Sequence, residues 1–370
     1  MRSFLAPFEF PIPASPSSAT ACDCAQGAHG RDRIKRPGAL PPAAKDVGFS
    51  YRHVWGEVKN WEIELGKELV TWGKGQPASL TEFGERVLWN ELELMAKISP
   101  YIDSIQSMCQ QSLANAINPK LKTLSVVASH DPSITELQKQ ISKKKIQLNL
   151  RFGSNVDALM ALNDGDCLVA GFRTLTRTNR KGPTSESLRN LLNPGIHKVM
   201  GFVSRSVGLL IAKNNPLGIH QLSDLTNPKI RLSRPPSNSA LRTVIKELLS
   251  QSNLSLDDLN FTSGIEATDS TSAVSVALGK SDVGFGLKFF ADEFDLDFVP
   301  IAEESYRLVC LKESINSNEI IELRDFLRSS IWADSVKQIS DHVADCSGNV
   351  LSLKTIYPWW LLVAKTGKVA

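Results

Sequence analysis

Gly38-Ala39-Leu40-Pro41-Pro42-Ala43-Ala44-Lys45-Asp46-Val47-Gly48-Phe49-Ser50-Tyr51-Arg52 holds two short helical patterns that meet at a glycine. The first helix fits Pro41–Val47, with its prolines in the first turn, where a missing N–H costs little. Gly48 supplies the turn, and Ser50 is a good N-cap for the second helix. That helix carries Val54, Val58, Trp61 and Leu65 on one apolar face and leaves Ser50, Tyr51, Arg52 and His53 at its exposed start. Leu69–Leu80 then reads as two short strands around a Gly73-Lys74-Gly75 tip. Thr81 caps a helix running to about Ile98, with Phe83, Val87, Leu94 and Ile98 on one face. Pro100 is expected to break it, a second helical stretch reaches about Ala116, and Asn118-Pro119 marks a boundary.

Helix, tight turn, helix, hairpin is the order a winged helix-turn-helix needs. In such heads the start of the second helix enters the major groove of double-stranded DNA. Arg52 suits a guanine edge or a phosphate, Ser50, Tyr51 and His53 sit at the same exposed end, and Lys74 at the wing tip suits backbone phosphate. A plain two-helix hairpin with a solvated end is the alternative. The apolar breadth of the helix after the wing, which includes Leu88, Leu92 and Met95, exceeds what a lone linker needs and points to a homodimer.

From Leu121 the pattern changes to strands alternating with helices. Strands fit Leu124–Ala128, Ile146–Phe152, Cys167–Phe172, Lys198–Ser204, Leu209–Ala212, Ile230–Leu232, Val283–Gly286 and Asp297–Pro300. Helices fit Asp131 to about Lys144, Asn155–Leu162, Ser239–Gln251, Ser270–Gly279, Leu287–Phe294 and Ser317–Ser329. Such alternation predicts a mainly parallel sheet covered on both faces, with ligand bound at the carboxyl ends of strands.

A length of 370 residues suits two domains, and an apolar fraction of 42% builds ordinary cores. The net charge of +3 puts any DNA contact on a local patch. Six scattered cysteines, of which only Cys22 and Cys24 are close, read as isolated thiols in a reducing cytosol rather than a metal site. No apolar run reaches the roughly 18 residues of a membrane span, and Pro7, Glu9, Pro11 and Pro13 interrupt any export signal, so a cytoplasmic location is expected. Residues 1–37 are rich in Pro, Ala and Ser and then basic, which reads as a disordered tail.

Ala43-Ala44-Lys45-x-x-Gly48-x-Ser50-Tyr51-x-x-x-Trp55, followed by Leu80-Thr81-x-x-Gly84, resembles the LysR-like winged helix of molybdate-responsive, ModE-type regulators. The second half is similar to the periplasmic molybdate-binding-like domain fused to such heads. It carries Ser129-His130-Asp131, Gly171-Phe172, Gly208-Leu209, Asn215-Pro216, Asp224-Leu225, Ser281-Asp282-Val283-Gly284-Phe285-Gly286, Phe298-x-Pro300, Glu304-x-Tyr306 and Pro358-Trp359-Trp360. The resemblance implies an α/β chain: an N-terminal winged helix-turn-helix plus a C-terminal two-lobed type II periplasmic-binding-protein-like domain. Its parts would be a tail at 1–37, a head and linker helix at 38–99 whose first helix is missing, a helical linker at 100–118, and an effector domain at 119–370. The implied effector is molybdate or tungstate; no cofactor and no membrane partner are implied. Two departures stand out. The family's glycine-rich turn is replaced by Arg234-Pro235-Pro236-Ser237-Asn238-Ser239-Ala240-Leu241-Arg242, and Asp269 stands where a His is common. An added carboxylate opposes anion binding unless an arginine neutralises it.

A tetrahedral oxyanion needs donors: hydroxyls, amides at helix starts, and Arg. Strand ends place Ser129 and His130, Arg205 and Ser206, Ser237, Asn238, Ser239 and Arg242, Thr268, and Tyr306 as ligand candidates. A small carboxylate such as formate suits the same set. No Gly-x-Ser-x-Gly elbow, His-x-x-x-His, Cys-x-x-Cys or Walker-type loop appears, so neither catalytic nor metal residues are expected. The reading is a DNA-binding transcriptional regulator that senses a small anion. A small-ligand-binding protein with a truncated, non-DNA-binding head is the alternative.

Overall fold

The computed structural model describes residues 49–71, 78–117, 123–142, 146–357 and 359–360. The proposed tail, the helix at 41–47, the wing tip with Lys74, and both Cys22 and Cys24 lie outside the described residues. Two compact units divide the chain, Met1–Glu91 and Leu92–Ala370.

In the first unit, helix α1 spans Tyr51–Leu65. The Ser50 hydroxyl caps it by accepting from His53 N at 3.2 Å, and Gly66 ends it in the left-handed conformation that glycine tolerates. A two-stranded antiparallel hairpin follows, β1 (Val70–Thr71) and β2 (Ser79–Leu80). Its entry is held by Glu62, the one buried residue of α1. The Glu62 carboxylate accepts from Leu69 N at 2.8 Å, Val70 N at 3.0 Å and Lys59 Nζ at 2.6 Å. Burial pushes this carboxyl upward, but Lys59 and the two amides outweigh it and hold it below the ordinary carboxylate range. The expected apolar face of α1 is not a core stripe: Trp61 and Leu65 are exposed, and the buried anchor is a charge.

Because the Glu62 carboxyl is depressed, its stabilisation is fully present above its unfolded value, about 4.3, and fades as pH falls through the folded value. Glu62→Gln is expected to cost the unit roughly 1–3 kcal/mol, since two buried amides lose a charged acceptor. Hydrogen exchange at Leu69 and Val70 checks this; unchanged protection would remove the carboxylate from that role.

Helix α2 spans Glu82–Ile117 without interruption. The break expected at Pro100 is therefore corrected. A proline deletes one helical hydrogen bond, whereas buried Leu92, Ala96 and Ser107 fix the helix on both sides of it.

The second unit is built on one ten-stranded sheet. Its strands are β3 (Thr123–Ala128), β4 (Gln147–Phe152), β5 (Val169–Leu175), β6 (His197–Ile211), β7 (Leu232–Arg234), β8 (Phe261–Ile265), β9 (Val283–Leu287), β10 (Asp297–Leu311), β11 (His342–Ala344) and β12 (Val350–Leu351). The main path runs β4-β3-β5-β10-β6-β9-β7-β8, and β11 and β12 also pair with β6. The sheet is mixed rather than mainly parallel. Strands β3, β4 and β5 pair in parallel, as do β7 with β8 and β9, but β10 is antiparallel to both β5 and β6.

Strand β6 is continuous where two strands, at 198–204 and 209–212, were expected. It pairs with β10 along nearly its whole length, from Leu311↔His197 to Asp297↔Ile211, with irregularities at Pro300/Ala302 and Tyr306/Arg307. These two long strands pass from one lobe to the other. Gly208 permits their close contact, because a Cβ there would lie 2.1 Å from the Val299 carbonyl oxygen.

Each lobe has its own core. In the first, helices α3 (Pro132–Ile141), α9 (Asn318–Leu327) and α10 (Ser330–Lys337) cover one sheet face, with Trp332 stacked on Phe202 at 5.0 Å. Helix α4 (Asn155–Asn163), α5 (Pro183–Leu188), α11 (Leu353–Ile356), Tyr357 and Trp359 cover the other. All seven residues of β5 are buried, as expected for a strand covered on both faces. The second lobe packs α6 (Ala240–Gln251) against β7, β9 and the far end of β6, with α7 (Asp269–Ala277) and α8 (Lys288–Glu293) completing it. Among the described residues no helix is long and apolar enough to cross a membrane.

Candidate ligand-binding cleft

A cleft of about 340 Å³ opens between the lobes at the carboxyl ends of β3, β4, β7 and β8. Four helices begin on it. Ser129 and His130 precede α3; Gly153 and Ser154 precede α4; Asn238 and Ser239 precede α6; Ala267 and Thr268 precede α7. Each start is capped from the local sequence: Asp131 accepts from Ser133 N at 2.9 Å, Ser154 from Asp157 N at 3.2 Å, Ser239 from Arg242 N at 3.1 Å and Thr268 from Thr271 N at 3.1 Å. Helix starts carry partial positive charge, and four around one cleft make a field that favours an anion.

Arg173, near the end of β5, brings the full positive charge, and no reading of the sequence singled it out. Its backbone is pinned by Asn155, whose Nδ2 donates to Arg173 O at 2.8 Å and whose Oδ1 accepts from Arg173 N at 3.1 Å. Its guanidinium donates to both Asp269 oxygens, at 2.9 and 3.1 Å, and lies 3.6 Å from Glu304. Burial works against the charged guanidinium, but Asp269 and Glu304 raise its pKa well above the ordinary value. Asp269 begins α7 in the second lobe, so this bidentate pair joins the lobes across the cleft.

Of the ligand candidates, Ser129, His130, Asn238, Ser239 and Thr268 line the cleft. Five others lie elsewhere, which corrects their expected placement. Arg205 is buried behind the cleft, donating to Asp131 and, at 2.8 Å, to Glu304. Burial alone would raise the Asp131 carboxyl, but Arg205 holds it low; burial raises Glu304 against the pull of Arg173 and Arg205. Ser206 N donates to Asp341 on another side of β6. Ser237 is exposed and outside the lining. Arg242 folds its guanidinium over the Phe261 ring at 4.9 Å, where burial and the neighbouring Arg234 lower its pKa from the ordinary value. Tyr306 is fully buried, its hydroxyl donating to Ser129 O at 2.8 Å, so it braces a lining residue from behind. Among the DNA-contact candidates, Tyr51, Arg52 and His53 are exposed at the start of α1, and the Ser50 hydroxyl is used as its cap.

The lining also includes Lys97, Tyr101 and Ser104 of α2, with Phe152, Asp157 and Glu266. Burial pushes the Glu266 carboxyl above its ordinary value. Among the described residues no group of three or more His, Cys, Asp or Glu side chains stands close enough to hold a metal.

Two lobes, two crossing strands and helix starts converging on the cleft are the features of a solute-binding domain. A PBP superfamily domain matches residues 136–328, more than half of the chain, and the chain belongs to that superfamily. It is similar to the uncharacterized protein YvgK of Bacillus subtilis (strain 168), with 22% identity over 227 residues that cover 61% of this chain and 73% of that protein. Among solved structures it is similar to a Clostridium perfringens protein described as a phosphate ABC transporter substrate-binding protein with bound phosphate. There the TM-score is 0.47, the identity 13%, and the coverage 60% of this chain and all of that one. A mutant of full-length BenM aligns with a TM-score of 0.43 and 17% identity, covering 85% of this chain and 97% of that one.

Proposed function

We propose that the chain is a ligand-responsive DNA-binding regulator whose second unit binds a small anion between its lobes. The observation that carries the ligand half is the convergence of four helix starts and Arg173 on one cleft. The proposed effectors are the oxyanions molybdate and tungstate, and small carboxylates such as formate suit the same donors. The DNA half is supported by the order of α1, hairpin and α2, with Tyr51, Arg52 and His53 exposed at the start of α1. In a winged helix-turn-helix that end reads the major groove. The proposed working unit is a homodimer, supported by the exposed Leu94, Met95, Ile102, Ile105 and Met108 on α2.

Thermal unfolding against molybdate, tungstate, sulfate, phosphate and formate tests the ligand half. An anion at about 100 times its Kd stabilises the native state by about 2.7 kcal/mol. A response to none of the five would defeat the anion reading. Footprinting at low salt tests the DNA half, and absence of protection on the gene's own upstream region would favour a head that no longer binds DNA.

A further inference from the structure

We propose that α2 is part of the anion site: its Lys97, Tyr101 and Ser104 form one wall of the cleft, and the helix straps the two lobes together. The inference rests on the anion reading above and adds a wall from outside the matched domain.

Glu93, Lys97, Tyr101 and Ser104 follow one another at spacings of four, four and three, which places them along one helix face. Lys97, Tyr101 and Ser104 line the cleft. At the first residue of this polar stripe and just beyond its last, the helix is tied to different lobes. On the second-lobe side, Glu93 accepts from Lys280, just past the end of α7. On the first-lobe side, the fully buried Ser107 donates to Leu148 O at 3.2 Å and accepts from Leu150 N at 2.9 Å, both on edge strand β4. Between these ties, Asp103 lies 3.7 Å from His130, itself a cleft residue.

The chemistry of the stripe is that of an anion wall held in reserve. Lys97 Nζ donates to Glu93 at 2.7 Å, and the pairing raises its pKa above the ordinary value. An entering anion takes over this ammonium, as it takes over part of Arg173 from Asp269. Glu93 keeps Lys280 as its partner, so no charge is stranded. The second-lobe tie is a partly exposed ion pair, and such pairs are weak. The first-lobe tie is buried and made to backbone. Lobe closure around an anion therefore shifts α2 at its Glu93 end and leaves its Ser107 end fixed. That is the end nearer in sequence to α1 and the hairpin.

Titration calorimetry with the same five anions on the full chain tests this, using Lys97→Ala and Lys97→Arg beside the wild type. For the anion that binds, Lys97→Ala is expected to raise Kd about 10- to 100-fold, the worth of one charge-assisted hydrogen bond. Lys97→Arg restores most of the affinity, and amide exchange across residues 93–107 slows on binding in the wild type. Wild-type binding that Lys97→Ala fully retains, with unchanged exchange, overturns this inference alone. No binding of any of the five by the wild type overturns the anion reading and this inference together.

Discussion

Replacing Arg205 with alanine is expected to destabilise the second unit by about 3–5 kcal/mol, the cost of leaving buried charges without their partner. Arg205 is 3% exposed, and Asp131 and Glu304 beside it are both fully buried. Removing the guanidinium strands Asp131 and leaves Glu304 with Arg173, 3.6 Å away, as its remaining arginine. Asp131 also caps α3 through Ser133, so that helix start loses its fixed position. The pH dependence follows from the depressed Asp131 carboxyl. In the wild type its stabilisation is present above the unfolded value, about 3.9, and is lost as pH falls through the folded value. In the variant the carboxyl is no longer held low, so the difference between the two proteins narrows as pH drops below about 4. Urea unfolding at pH 7 and at pH 3 measures both points. A loss under 1 kcal/mol at neutral pH would show that the cluster does not depend on Arg205.

Asp269→Asn is expected to tighten anion binding by about 10- to 100-fold, corresponding to roughly 1.5–3 kcal/mol. Asp269 accepts from both terminal nitrogens of the Arg173 guanidinium, which is the group best suited to an incoming carboxylate or oxyanion. Asparagine keeps the shape and position at the start of α7 but removes the negative charge that competes for Arg173 and repels the ligand. Glu304, 3.6 Å from Arg173 Nε, remains to neutralise the arginine, so the variant should still fold. Calorimetry with whichever anion stabilises the wild type decides the matter. Unchanged or weaker affinity would mean that Asp269 takes part in recognition, for instance by accepting a donor on the ligand.

What the chain disclosed unaided was the part written locally. Ser239 and Thr268 are helix caps beside apolar runs, and their positions at strand ends, with Ser129 and His130, marked where a cleft would open. What stayed hidden depends on partners far along the chain. Arg173 sits inside a wholly buried strand, a place for a charge only because Asp269 meets it from 96 residues away. Arg205 and Ser206 read as donors at a strand end, and the strand runs straight through them because Asp131 and Glu304, 74 and 99 residues distant, receive the arginine. Helix α10 and strand β8 offered too few residues for a periodic signal, and tertiary packing decided them. Asp269 was the instructive residue. Its charge argued against an anion cleft unless an arginine neutralised it, and Arg173 does so.

The placement of β10 between β5 and β6 sets an order on synthesis. The second lobe lies mostly in the continuous segment between the two crossing strands, so it has most of its chain as soon as that segment leaves the ribosome. The first lobe does not. Its inner strand β10 is made about 90 residues after β6, and until residue 311 emerges β5 and β6 each lack the neighbour that lies between them. Nascent or prematurely terminated chains thus expose two adhesive strand edges, and the cell must shield the older half of the domain while it waits for the younger.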